Sequence, residues 1–574
     1  MDNQVKDITS RDVDFAKWYT DVVKKADLVD YTNVKGSMVI RPYGYAIWEN
    51  MQSILDKEFK RLGHENVQMP MFIPESLLNV EKDHVEGFAP EVAWVTYGGK
   101  EKLDERMCVR PTSETLFCDH FKKIVKSYRD LPVLYNQWCT IVRWEKTTRP
   151  FLRSREILWQ EGHTLHATSE EAMAETLRML HVYEDFQRNY LAMPVIVGRK
   201  TEKEKFAGAE ATYTIEAMMY DGVALQNGTS HYFGNGFAHA FGIEFLDKDN
   251  KLKTPFQTSW GCTTRMIGGL IMTHSDDRGL VLPPKIAPTK VIVIPIGKDI
   301  DEYIYKVLDV LNRNDITNKV DRSDKTPGCK FAEAEVKGYP VRIEVGARDI
   351  KNGHITLVRR DTLEKYEFSI NELDNLADKL NDIFETMQND MYKKAEDRRN
   401  SMLYSASTME EFESIAANKP GFIKINWCGR CECEENIKEK IAKIKKIKAK
   451  KGIRNVGIVI IAIIIIFILA LILDKSQNTF NGQVLKLVGI TEQKTEEAKE
   501  KQESKEEKKQ KEKAVKVAQE KFKELGEKVK KEELEVLKIK RKGEYYYYIS
   551  AKDNTVEVRI TDNKITRVNS VPVE

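Results

Sequence analysis

The stretch IVRWEKTTRPFLRSREILWQEGHT, residues 141–164, decides how this chain is read. Arg143 and Glu145 stand one residue apart, the spacing that puts two side chains on one side of a strand. An arginine there clamps a phosphate by fork-shaped hydrogen bonding, while the carboxylate accepts from an amine or orients a cation. A loop follows with Arg149, Arg153 and Arg155, a charge density suited to a triphosphate. The chain then returns through Trp159, Gln160, Glu161, Gly162 and His163, which read as a second strand. Arg-x-Glu by itself fits a salt-bridged hairpin as well; the whole string points to a phosphate site.

Two further stretches flank this one. In QTSWGCTTRMIGGLIM, residues 257–272, small residues around Gly261 permit close backbone approach, and Arg265 falls where a buried strand turns into a helix. From there Arg265 can face the phosphates opposite Arg143, and two such arginines neutralise charge as a phosphorus is attacked. Upstream, KEFKRLGHENVQMPMFIP, residues 57–74, reads as a helix running into a strand with Pro70, a common unit that carries little information alone.

The 574 residues exceed one ordinary core and predict about three or four domains. A hydrophobic content of 41% fits globular folding, and a net charge of +3 says little about partners, since RNA binding needs a local basic face. Of eight cysteines, Cys108, Cys118, Cys139, Cys262 and Cys329 are scattered singly, as in a reducing compartment, and only Cys428, Cys431 and Cys433 cluster. The first fifteen residues hold no apolar h-region. An amphipathic stretch over Tyr45–Leu62 reads as a helix and Val133–Val142 as a strand; LVLPPKIAP, ending at Pro288, reads as a linker. KVIVIPIG then opens a small α/β domain.

In order along the chain, RPTSET (110–115), FLRSREILWQEGHT, QNGTSH (226–231), SWGCTTR and HSDDRGLVLPP resemble the motifs of class II aminoacyl-tRNA synthetases, in wording close to the prolyl-tRNA synthetases. The resemblance spans roughly residues 1–440. It implies an α+β catalytic domain, an antiparallel sheet flanked by helices, over 1–285. An α/β anticodon-binding domain over 286–395 and a truncated, cysteine-containing zinc-domain-like segment over 396–439 would follow. The implied reaction is ATP-dependent attachment of L-proline to tRNA(Pro) through prolyl-adenylate, with ATP and Mg²⁺ as cofactors, in a homodimer. By match to the family motifs, Thr112, Glu114, Arg143, Trp159, Glu161, His163, His231 and Thr263 bind proline. Arg143, Glu145, Arg153, Ser154, Gln226, Thr229 and Arg265 bind ATP, with Arg143 and Arg265 the catalytic pair. Ile157 stands where the family usually stacks an aromatic ring on adenine. Only about a hundred residues separate His163 from Ser259, leaving no room for an inserted editing domain, so the compact archaeal- and eukaryotic-like type is implied.

Within SDKTPGCKFAEAEVKGYPVRIEVGARD (323–349), strand-borne charges such as Lys337, Arg342, Glu344 and Arg348 are candidates for reading guanine edges, with Glu344 and Arg348 the anticodon residues. WCGRCECEE (427–435) matches the first cysteine pair of the family's zinc domain at Cys428 and Cys433, with Cys431 extra; the second pair is missing. A basic run over residues 440–454 precedes the uncharged VGIVIIAIIIIFILALIL, residues 456–473, the length of a membrane-spanning helix. With the basic run on its N-terminal side, the positive-inside rule predicts cytoplasmic catalytic and anticodon-binding domains, a single-pass tether over 440–474 and an outer C-terminus. A Lys/Glu-rich tract over about 491–531 predicts a solvated helix or stalk. Three strands after it make a small PepSY-like α+β module within 475–574. A second reading, a membrane-anchored ligand sensor or scaffold that no longer charges tRNA, is opposed by the intact Arg143, Glu145 and Arg265.

Overall fold

A computed structural model describes residues 8–80, 92–444 and 496–572, except 526–528, 531–532, 542–543, 552–553 and 570, and the chain divides into two compact units, 1–446 and 447–574.

The first unit is built on a seven-stranded sheet. Its strands run in the order Glu65–Asn66, Val133–Val142, Glu156–His166, Phe256–Thr263, Ala224–Gly234, Ala211–Met218 and Val195–Arg199. All pairings are antiparallel except the short edge pair Glu65–Asn66 with Val133–Val142. This is the helix-flanked antiparallel sheet expected from the sequence, and Val133–Val142 is a strand over the expected span. Because strand side chains alternate, one row of each strand faces the core helices and the other an open cleft. On the core side the Tyr183 hydroxyl, from helix Ser169–Asn189, donates to Gln160 Oε1 at 2.5 Å. Trp260, 1% exposed, lies over its cross-strand neighbour Gly162, where a Cβ would meet the indole at 2.1 Å. Helix Pro42–Arg61, started by its proline, buries Ile47, Met51, Leu55 and Phe59 into this core, the helical spacing read over Tyr45–Leu62.

A five-stranded sheet follows, ordered Asn318–Val320, Val291–Ile296, Val341–Gly346, His354–Arg359, Lys365–Ser369. Its first three strands are parallel and its last two antiparallel. The segment read as a linker is irregular but not exposed: Leu280, Leu282 and Ile286 are fully buried in the same core cluster as Trp260 and Phe59. Proline punctuation signals irregular backbone and says nothing about burial. Next to it, buried Arg360 donates to both Asp276 carboxylate oxygens at 2.9 and 2.6 Å and to the Glu335 carbonyl at 2.8 Å, tying the two sheets' domains together.

In the second unit, helix Glu496–Glu524 accompanies a five-stranded antiparallel meander, Glu535–Arg541, Glu544–Ala551, Asn554–Arg559, Ile565–Val568 and Val571–Pro572. The sheet has five strands rather than the three expected, and the charged tract takes the helical alternative rather than the stalk, though the end of that helix is not wholly solvated. Ala514, Val515, Ala518 and Phe522 are buried in one cluster with Tyr547, Ile549, Val556 and Val558. Four apolar residues at helical spacing suffice to bury a face that the surrounding lysines and glutamates obscure in the composition.

The expected localisation is also corrected. Among the described residues no helix is long and apolar enough to cross a membrane. The apolar run 456–473 lies outside the described residues, so neither the tether nor the outward C-terminus derived from it is retained.

Candidate active site

Sheet register assembles the site. Across the cleft face, Cys139, Trp159 and Thr263 form one cross-strand row; Gln137, Glu161, Gly261 and Thr229 the next; Tyr135, His163, Ser259, His231 and Thr212 the third. Alternation spaces these rows about 7 Å apart. Arg143 lies just past the strand end at Val142, and Arg265 just past the strand end at Thr263, so both arginines crown the same end of the cleft. The resulting cavity, about 240 Å³, is lined by every proline- and ATP-binding candidate except Glu145. Glu145 stands beside it, 3.4 Å from Arg153. The strand placement expected for Arg143 and Glu145 is corrected. The strand stops at Val142, and the Glu145 N–H donates to the Arg143 carbonyl at 2.7 Å, a tight turn.

At the arginine end, Arg265 Nε donates to the Leu152 carbonyl at 3.3 Å, and Arg143 Nε to the Pro111 carbonyl at 3.2 Å. The Arg143 guanidinium sits 5.6 Å from the centre of the Trp159 ring. Burial, and then the like charges of Arg143 and Arg153, hold the Arg265 guanidinium below its ordinary pKa. Three cations converge there, and a polyanion relieves their repulsion. Ile157, also in the lining, offers apolar contact without a ring.

Deeper in, the carboxylates are buried. The Thr112 hydroxyl donates to Glu114 Oε2 at 2.6 Å, and both residues are 4% exposed. Glu161, 3% exposed, has Oε2 at 3.0 Å from His163 Nε2 and Oε1 at 2.6 Å from the Gln137 amide, with the Ser113 hydroxyl donating to the same Oε1. Burial alone pushes the Glu161 pKa up, but the His163, Ser113 and Gln137 contacts outweigh it and hold the group ionised. His231 is driven to a pKa of about 3 by burial, then by the charges of Lys200 and His163, and is neutral at physiological pH. The Thr212 hydroxyl holds it at 3.0 Å and also accepts from the Phe206 N–H at 2.9 Å. This leaves one end of the cavity cationic and the other anionic.

Several lining residues escaped sequence reading: Lys200, Glu204, Phe206, Thr212 and Asn227. Thr212 lies on strand Ala211–Met218, and Asn227 lies inside QNGTSH but had no role assigned to it. Lys200, Glu204 and Phe206 lie on the segment after strand Val195–Arg199, which carries no motif. The same segment contacts residues near the cysteine cluster, where the Thr201 hydroxyl donates to Glu434 at 2.9 Å and Lys438 to Glu204 at 2.6 Å.

Cys428 and Cys433 have their sulfurs 2.8 Å apart. Among the described residues no group of three or more His, Cys, Asp or Glu side chains could hold a metal, and nothing supports a filled zinc site at Cys428, Cys431 and Cys433. In the smaller sheet's domain, Lys337 ends helix Pro327–Lys337 and pairs with Asp27, so it is not borne on a strand. Glu344 is buried beside Arg342 at 2.9 Å, while Arg348 lies within the short helix Ala347–Lys351 and, like Lys337, is not borne on a strand.

The chain is similar to known proteins over most of its first unit. The family tRNA synthetase class II core domain (G, H, P, S and T) matches residues 94–274, and the anticodon binding domain family matches 290–380. The chain is 61% identical over 437 residues to a proline–tRNA ligase of Lachnoclostridium phytofermentans, covering 76% of this chain and 91% of that one. It is 62% identical over 438 residues to the proline–tRNA ligase of Lachnospira eligens, with the same shares covered. Among solved structures it is similar to the prolyl-tRNA synthetase of Cryptosporidium parvum, crystallised with halofuginone and AMPPNP. That likeness has a TM-score of 0.73 and 41% identity, over 76% of this chain and 90% of that one.

Proposed function

The chain belongs to the class II prolyl-tRNA synthetases, and from that premise we propose how its cleft divides the work. The enzyme is a proline–tRNA ligase: it uses ATP to attach proline to tRNA(Pro). The alternative of a sensor that no longer charges tRNA is not favoured, because the arginine end and the carboxylate end are both intact.

In the proposed arrangement Thr112 and Glu114 accept the secondary ammonium of proline, and Glu161, His163, His231 and Thr263 with the Trp159 ring form the walls around its pyrrolidine. Arg143 reaches from the proline carboxylate to the α-phosphate. Arg265 holds the β- and γ-phosphates, and Arg153, Ser154, Gln226 and Thr229 seat the rest of ATP. The carboxylate attacks the α-phosphorus, pyrophosphate leaves, and a terminal ribose hydroxyl of the tRNA then attacks the adenylate carbonyl, releasing AMP. Positioning and charge stabilisation supply most of the rate. Glu145, a carboxylate beside Arg153, fits Mg²⁺, which takes one or two carboxylates plus phosphate oxygens. When bound, the ion neutralises phosphate charge. Glu344 and Arg348 are proposed to contact the anticodon. A homodimer is proposed to pair through the segment ending at Pro74, where Met71 and Phe72 are nearly half exposed.

The polarity of this cavity carries the proposal: the buried carboxylates of Glu114 and Glu161 lie below converging guanidiniums, matching an amine at one end and a triphosphate at the other. Pyrophosphate exchange by Glu114→Gln tests it. Proline KM is expected to rise at least tenfold with ATP KM unchanged; an unchanged proline KM would refute the assignment.

A further inference from the structure

Glu161 is held by a hydrogen-bond relay whose direction can be read end to end. It begins at the Met69 backbone N–H, which donates to Gln137 Oε1 at 2.9 Å. That donor fixes which way the fully buried Gln137 amide points, so its Nε2 must face the other side. There it donates to Glu161 Oε1 at 2.6 Å and to Ser113 Oγ at 3.0 Å. The Ser113 hydroxyl, its lone pair taken by Gln137, spends its own proton on Glu161 Oε1. Cys139 Sγ stands 3.7 Å from the same oxygen. Glu161 Oε1 therefore faces only donors. On the other oxygen, a carboxylate requires His163 to offer its proton from Nε2, which leaves Nδ1 as the ring's buried atom without a hydrogen-bond partner among the described residues. Phe117 stacks on that ring with centroids 4.1 Å apart.

We propose that Gln137, with Ser113, is a positioning residue of the proline pocket: it sets the charge and the rotamer of Glu161 without touching substrate. This rests on the reading of Glu161 as a wall of that pocket. No motif in the sequence singles out Gln137. It stands directly across the strand pair from Glu161, and a carboxamide there provides what neither leucine nor glutamate would. Leucine has no donor, and glutamate donates only while protonated. The other titratable groups around Glu161 are His163 on its own strand, Cys139 on the neighbouring strand, Glu114 from helix Glu114–Ile124, His231, Arg143 and Arg110. Gln137 Nε2 donates to Glu161 and Ser113 and to none of these groups.

The test is the pH dependence of kcat/KM for proline in pyrophosphate exchange by the full-length enzyme, with unfolding midpoints recorded beside it. Gln137→Met removes the donor, so Glu161 is protonated at higher pH than in wild type. The acid limb is expected to move up by about one pH unit and proline KM to rise about tenfold, with ATP KM within about twofold. Gln137→Glu regains a donor only while it carries the proton it shares with Glu161. Its proline KM is expected to be best at low pH and to worsen as pH rises, the opposite slope from Gln137→Met. Ser113→Ala is expected to follow Gln137→Met more weakly and decides the matter if neither Gln137 variant folds. A wild-type acid limb in folded Gln137→Met and Ser113→Ala, with Glu161→Gln impaired for proline, would overturn the positioning role alone. Glu161→Gln with an unchanged proline KM would overturn the pocket reading on which it stands.

Discussion

Replacing Gly162 by alanine adds one methyl group at the most crowded point behind the proline pocket. That Cβ would lie 2.1, 2.2 and 2.3 Å from Cζ2, Cε2 and Cη2 of Trp260, far inside van der Waals contact. The indole has little room to retreat, because Phe59 and His64 pack on it with ring centroids 5.0 Å away and Tyr183 stands at 6.4 Å. Nor can the strand yield cheaply, since Glu156–His166 is hydrogen-bonded on both sides. Overpacking a well-filled core costs about 1–3 kcal/mol, and a clash with a fully enclosed ring belongs at or above the top of that range. We therefore expect a loss of about 3 kcal/mol or more, read as a lowered urea midpoint by tryptophan fluorescence. Any relief by strand displacement moves Glu161 and His163, the residues on either side, so proline KM is expected to rise in whatever protein folds. Gly198→Ala is the control, because its Cβ would meet nothing within 4 Å; a change within about 0.5 kcal/mol is expected. A Gly162→Ala enzyme with wild-type midpoint and wild-type proline KM would refute this packing argument.

Three further outcomes follow from the geometry. Arg265→Lys keeps one charge but loses the planar fork, and kcat in pyrophosphate exchange is expected to fall about 10²–10³-fold with little change in proline KM. Arg360→Ala strands Asp276 and leaves the Glu335 carbonyl without that donor, so a loss of about 3 kcal/mol in unfolding is expected. Burial alone raises the Asp276 pKa, but the Arg360 contacts outweigh it and hold the carboxyl below its ordinary value. Its contribution is therefore present above the usual carboxylate pKa and lost as pH falls through the depressed one; Arg360→Ala should flatten the acid side of the stability curve. Cys428, exposed and brought to a pKa of about 7 by hydrogen bonding from Cys433 and then from the Arg430 backbone, is expected to react with iodoacetamide at neutral pH well before the buried Cys118 and Cys262.

What the sequence made legible was whatever the chemistry forces into a short run. Residues 141–164 hold a strand end, a charged loop and the returning strand, so they disclosed one wall of the cleft directly. Arg265 was legible for the same reason, whereas Thr112, Glu114 and Thr263 were picked out only through the resemblance of RPTSET and SWGCTTR to the family motifs. Phe206 and Thr212 were not legible, because they matter only through the fold: Thr212 reaches His231 across a strand pair that nothing in its own segment announces. Gln137 was hidden for a related reason: its strand carries no motif, and only the sheet register places it opposite Glu161. Burial was the least legible property. LVLPPKIAP has the composition of an exposed linker yet threads the core, and the lysine- and glutamate-rich helix conceals Ala514, Ala518 and Phe522. The uncharged run 456–473, whose length suggested a span, lies outside the described residues.

The most direct test of the account is proline-dependent ATP–pyrophosphate exchange by the purified full-length chain, with charging of tRNA(Pro) measured in the same preparation. The account predicts exchange that requires proline, is not supported by threonine or glycine, and is accompanied by prolyl-tRNA formation. Folded protein that shows no exchange at saturating proline and ATP would contradict it.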